Sequence, residues 1–191
     1  ATGDMSRAEV QFEDALKINP ASKDALAGIA NLYLRLKKPE KAVQRLNQQL
    51  GRLSGPQQAT VLLLLAEVYI TQKDAVRAEE AYKRAVQLDP KNAVLRSAMA
   101  SFYEWSGNSG KSAEVLQGVA QEQPGNVAIK KQLAALYLDQ KSWDKGIQIT
   151  EQILKTNAGD VDAYILKSRL LSGQGKADAA IAAAQAAVNN N

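Results

Sequence analysis

The chain contains no cysteine and no histidine, and only 5% of its residues are aromatic. With neither thiol nor imidazole there is no disulfide framework, no zinc finger, no iron–sulfur or haem ligation through those side chains, and no Ser-His-Asp or Cys-His catalysis. Long apolar runs are missing too. The longest, Val61 to Ala66, falls far short of the ~18 to 20 residues that span a bilayer, so direct membrane insertion is not expected. Charge of one sign is also scarce: 24 basic against 20 acidic side chains in 191 residues leave an excess of four, too mild and too scattered to imply nucleic acid. Ala1 to Arg7 carry neither a basic n-region nor an apolar h-region, so no signal peptide is visible in this segment.

What the sequence does have is a period. The small residues Ala8, Ala42, Ala78, Ser112, Gly146 and Ala180 are separated by 34, 36, 34, 34 and 34 positions. Tyr33, Tyr69, Tyr103, Tyr137 and Leu171 repeat at 36, 34, 34 and 34, and Ala30, Ala66, Ala100, Ala134 and Ser168 sit three residues before them. All three registers share one two-residue insertion near Gly51 to Pro56, which marks a true internal repeat.

Within each period the apolar spacing is helical. Leu62, Leu65, Ala66 and Tyr69 fall at i, i+3, i+4 and i+7; Ala78, Tyr82, Ala85 and Val86 fall at i, i+4, i+7 and i+8. Each unit therefore reads as two amphipathic helices, A and B, joined by a short polar or glycine-bearing turn such as Gln72 to Asp74 or Ser106 to Gly110. Asn19-Pro20, Asp89-Pro90 and Gln123-Pro124 stop one unit before the next begins. No stretch alternates with period two over a useful length, so no strand is expected. Small residues at the Ala30 and Ala42 registers let helices cross closely, and Leu26, Tyr33 and Leu46 fill the space around the crossing. One hairpin cannot bury both faces. Stacked hairpins can, and the result is a right-handed superhelical α-α solenoid.

The pattern resembles the tetratricopeptide repeat family, a set of helix-turn-helix arrays. Ala59 to Pro90 fits best, with Leu62, Leu65, Ala66, Tyr69, Ala78, Tyr82, Ala85 and Pro90 at the family positions. The resemblance covers one orphan helix B, residues 5–18, and five helix pairs at 22–54, 57–90, 92–124, 126–158 and 160–190, together a single array. Gln49, Val119 and Ile153 depart from its late small residue, Arg96 and Lys130 from an early bulky one, and Thr150 from an aromatic.

Several segments imitate chemistry. Gly107 to Ser112 ends in Gly-Lys-Ser like a phosphate loop, but Trp105 stands where the first glycine is needed, and a helix rather than a strand enters the turn. Glu79-Glu80 and Asp160 with Asp162 are paired carboxylates, which acid–base catalysis would need shielded in a cleft; Asp160 and Asp162 are placed instead to cap a helix. The alanine-rich Ala179 to Val188 reads as helix propensity, with small side chains blunting the last face. No catalytic, metal or cofactor site is expected.

The resemblance implies a concave surface lined by helix A residues that packing does not use, where extended or helical peptides bind. Carried over by register, it contains Asn31, Leu34, Arg35, Leu63, Glu67, Ile70, Ser101, Glu104, Trp105, Lys131, Leu138 and Arg169, with Ile165 as a further apolar anchor. Trp105, a large ring outside the packing registers, is either an anchor for a ligand or a cover for the following turn; Trp143 is expected to pack. The clamp by which some relatives hold chaperone C-termini needs Lys and Asn, Asn, then Lys and Arg. Here those registers read Ala27 and Asn31, Leu63 and Glu67, Ser97 and Ser101, so the clamp is absent.

The expected function is accordingly a non-catalytic scaffold binding a peptide or protein partner. The alternative is a self-associating module of a bacterial envelope complex, such as one for exopolysaccharide secretion. The irregular Leu/Ala/Gln-rich repeats look bacterial, and the lack of cysteine suits a periplasm without excluding a cytoplasm. Because the chain opens inside a repeat and lacks a polar closing helix, it is expected to belong to a longer array, or to form homo-oligomers through uncapped solenoid ends.

Overall fold

A computed structural model describes residues 2–190, with side chains from Ser6 onward. It contains eleven helices among the described residues: α1 (Thr2–Ile18), α2 (Lys23–Arg35), α3 (Pro39–Leu50), α4 (Pro56–Thr71), α5 (Ala75–Leu88), α6 (Ala93–Trp105), α7 (Ser109–Glu122), α8 (Val127–Asp139), α9 (Trp143–Thr156), α10 (Val161–Gly173) and α11 (Ala177–Asn189). No strand is present among them. The first helix starts at Thr2, three residues before its expected onset. The chain divides into two compact units that meet within α6, one ending at Met99 and the other starting at Ala100.

Local chemistry explains the helix boundaries. Ser22, Asn126 and Asp160 each accept a backbone N–H of the first helical turn, from Ala25, Ile129 and Ala163. At the other end of each A helix the chain closes through a wide backbone bond: Lys38 to Tyr33, Asp74 to Tyr69, Asn108 to Tyr103, Ser142 to Tyr137 and Lys176 to Leu171, all 2.7–2.9 Å. That closure needs one left-handed residue. Gly107 and Gly175 supply it at φ 77° and 83°, but Lys37, Lys73 and Lys141 adopt it at φ 54–59° despite their side chains. The two-residue insertion before α4 is held by Gln58, which donates to the carbonyls of Leu50 and Leu53.

In the unit ending at Met99, α2 packs on α1 and α3, and α4 on α2, α3 and α5. Ala30, Ala42, Ala66 and Ala78 are buried at the crossings, and Leu26, Ile29, Leu46, Val61, Leu62 and Val68 fill around them. The N-terminal helix is bolted on by polar contacts. Tyr33 donates to Glu9 (2.5 Å), Arg45 grips Glu13 through two nitrogens (2.5 and 2.7 Å), and buried Gln49 donates to the Pro20 carbonyl. Gln49 thus departs from a small residue without leaving its amide unpaired.

In the unit starting at Ala100, α8 packs on α7, α9 and α10, and α10 on α9 and α11. Leu116, Leu133, Ile153 and Leu170 are fully buried. Thr150, where the repeat usually has an aromatic, is also fully buried and satisfies its hydroxyl on the Ile147 carbonyl. Gly146 is small for a reason: a β-carbon there would lie 2.4 Å from the Leu170 side chain. Trp143 packs, its ring lying against Gly173 so closely that a β-carbon on that glycine would meet it at 2.6 Å.

Candidate partner-binding surfaces

Helix A positions three and four residues apart share a face. In the first unit this places Asn31, Leu34 and Arg35 on α2 and Leu63, Glu67 and Ile70 on α4. Leu34, Leu63 and Ile70 are half-buried, while Asn31, Arg35 and Glu67 are exposed. Although the residue as a whole is exposed, the surface packed around the Glu67 carboxylate desolvates it and raises its pKa, with Lys23 acting the other way. Tyr82 beneath it is pushed up to about 12 by burial, the Glu67 charge adding to the effect.

In the second unit the polar members of the expected site divide sharply. Ser101 accepts from Gln132 at 3.0 Å, and Glu104 accepts from the buried Ser112 hydroxyl at 2.9 Å. Lys131 reaches both Asp160 (2.8 Å) and Asp162 (2.9 Å) at the start of α10. Burial alone would lower the Lys131 pKa; the two carboxylates outweigh it and hold the ammonium above its usual range. These three residues join neighbouring helices. Each also supports the packing of its helix, a role that register alone does not reveal. The Gly-Lys-Ser segment is likewise structural: α7 begins at Ser109, inside it, and Ser112 lies at a helix crossing.

Arg169 has a different setting. With Val161, Ile165 and Ser168 from α10, and Ala184, Ala187 and Val188 from α11, it lines an open, almost wholly apolar cavity of about 310 Å³. Ile165 and Val188 are 46% and 72% exposed there. The α11 residues were not anticipated; the apolar Ala184, Ala187 and Val188 in the last turns of the helix were the available signal. Trp105 is half exposed and leans on Phe102 with ring centroids 5.9 Å apart, while Leu138 is half-buried on α8. A large apolar ring with one free face can take a partner's side chain as well as shield its own helix end.

A second cavity of about 310 Å³ is lined by Glu104, Gly107, Ser109, Leu136, Asp139 and Gln140. Among the described residues no group of three acidic side chains is placed to hold a metal ion, and no helix is long and apolar enough to cross a membrane.

Helical hairpins with apolar and polar side chains displayed along their A helices define a protein-interaction scaffold of the all-α solenoid class. Residues 1–53 and 106–170 match one family model described as tetratricopeptide repeat, and residues 30–93 match a second. The chain belongs to the tetratricopeptide repeat family. No curated protein matches the sequence. Solved structures do. MamA is 20% identical with a TM-score of 0.64, over 83% of this chain and 91% of that one. YrrB, described as a TPR protein with an unusual peptide-binding site, is 15% identical with a TM-score of 0.62, over 94% and 92%. BtubC from P. vanneervenii is 15% identical with a TM-score of 0.73, over 98% and 88%. At these identities the likeness speaks for the fold.

Proposed function

We propose that the protein is a non-catalytic scaffold that holds a segment of a peptide or protein partner on its A-helix faces, joined at the last hairpin by α11, and so organises a multi-protein assembly. The observation that carries this reading is the α10/α11 cavity, which the apolar Ile165 and Val188 line together with Arg169. An apolar pocket with a single cation at its edge selects an apolar side chain near a carboxylate, the usual division between anchoring and orienting groups. Asn31, Leu34, Arg35, Leu63, Glu67 and Ile70 offer the first unit a mixed surface of the same kind, and Trp105 and Leu138 extend the apolar anchors of the second.

The test is selection of peptides from a display library against the whole chain, followed by affinity measurement with Ile165→Asp and Arg169→Glu. The reading requires selected peptides to carry an apolar residue near an acidic one and to bind these variants at least tenfold more weakly. Peptides that bind both variants as well as the parent contradict it.

Self-association through the same face, including a structural role in a bacterial envelope complex, is the second reading. It is favoured by a difference between successive hairpins. Thr150 and Leu154 on α9 are buried and half-buried, whereas Ala184 and Val188, one period later on α11, are exposed. Light scattering over a wide concentration range decides it: association that Val188→Glu abolishes supports it, and a strict monomer at high concentration rules it out.

A further inference from the structure

The other flank of the last hairpin carries a groove that the repeat pattern itself explains. In the first helix pair, Tyr33, Lys41, Gln44, Arg45 and Gln48 line a cavity of about 200 Å³. Moved along the chain by the repeat, these positions become Leu171, Ala179, Ala182, Ala183 and Ala186. All five side chains are cut back, and the same five residues line a groove of about 460 Å³ between α9, α10 and α11. The alanine run of α11 is thus the stripped floor of a place that earlier repeats fill.

What fills it elsewhere is consistent. Tyr69 lies under Arg77, with the guanidinium 4.7 Å from the ring centroid; Tyr103 lies under Lys111 at 5.1 Å and Tyr137 under Lys145 at 5.8 Å. The phenol hydroxyls reach back to the preceding helix, Tyr33 to Glu9 and Tyr137 to Gln117. The last pair loses ring and cation together, at Leu171 and Ala179, yet keeps a polar group on the preceding helix: Glu151 stands one period after Gln117 and lines the groove.

We infer that this groove takes the tyrosine side chain of a partner polypeptide, seated on Leu171 and Ala183 where Tyr137 sits one repeat earlier, with its hydroxyl donating to Glu151. The charges at the rim favour a neutral phenol over an arginine. Glu151 already holds Lys167 at 2.9 Å, and Lys176 adds a second cation beside the groove. A further guanidinium meets net repulsion there, whereas an aromatic face attracts Lys176 much as the internal tyrosines attract Arg77 and Lys145. The groove is lined by residues distinct from those of the Ile165 and Arg169 cavity, so each can fail without the other.

The probe is N-acetyl-tyrosinamide, followed through the backbone amide signals of Lys176, Ala179, Ala182 and Ala186 in nitrogen–proton correlation spectra. Saturable shifts confined to these signals are expected, with weaker binding of N-acetyl-phenylalaninamide and none of N-acetyl-argininamide. The double variant Leu171→Tyr, Ala179→Lys refills the groove from within. It should keep the parent's helical spectrum and melting temperature while weakening the probe at least tenfold. Glu151→Gln should bring the tyrosine and phenylalanine probes closer together. Absence of shifts up to the solubility limit, equal binding of the phenylalanine probe to the parent, preference for the arginine probe, or undiminished binding to the refilled variant overturns the assignment.

Discussion

Lys131 on α8 and Asp160 at the start of α10 lie 2.8 Å apart, and the same carboxylate accepts the Ala163 backbone N–H. One side chain therefore caps α10 and ties it to α8, the A helix of the preceding pair. Burial pushes the Asp160 pKa up, but Lys131 and the capping bond prevail and hold it below the usual aspartate value. A carboxyl whose pKa is lower folded than unfolded stabilises fully above the unfolded value, about 4, and loses that contribution as pH falls through the folded one. Asp160→Ala should cost about 1–3 kcal/mol at neutral pH. Thermal unfolding should show a smaller stability gap between parent and variant below about pH 3 than at pH 7. A gap independent of pH contradicts the ionic role.

Gly146 and Leu170 form a second tight pair. Gly146→Ala should destabilise by about 1–3 kcal/mol, because Leu170 is fully buried and cannot swing aside. Leu170→Val in the same chain should recover part of the loss. Denaturant unfolding of the two single variants and the double variant measures the coupling; simple additivity means the two side chains do not meet.

The left-handed lysines predict the opposite sign. Lys141→Gly relieves a backbone strain of ~1–2 kcal/mol, offset in part by the greater freedom of unfolded glycine, so a gain of about 0.5–1 kcal/mol is expected. Gly107→Ala should lose about 1 kcal/mol for the same reason. Chemical denaturation of both variants is sufficient; equal effects of one sign contradict the turn geometry.

Tyr33 connects α2 to α1, and its pKa is pushed up to about 12, first by burial and then by its bond to Glu9. A raised phenol pKa stabilises fully below the unfolded value, about 10, and that contribution is lost as pH rises through the folded one. Tyr33→Phe should therefore flatten the fall in stability above about pH 10. An unchanged alkaline slope contradicts the assignment.

The fold was legible because periodicity is a property of backbone geometry. Ala42, Ala78 and Ser112 predict the helix crossings and are buried at them, and Tyr33, Tyr103 and Tyr137 predict buried rings. The site was legible only in part. Register places Ser101, Glu104 and Lys131 on the right helices, but it cannot show that Gln132, Ser112 and the Asp160 and Asp162 pair reach them first. Such pairing depends on side chains from other helices. The alanines of α11 illustrate the converse: read alone they signal helix propensity, and their meaning emerges only beside the larger residues that fill the same positions around Tyr33.

The Ile165 and Arg169 face of the last hairpin is the proposed seat of the partner. The most direct measurement is calorimetric titration of one display-selected peptide into the parent chain and into Arg169→Glu, with the helical spectra of both recorded as a control for folding. Saturable one-to-one binding to the parent and at least a tenfold loss in the equally helical variant are expected. Equal affinity for the two proteins contradicts this placement.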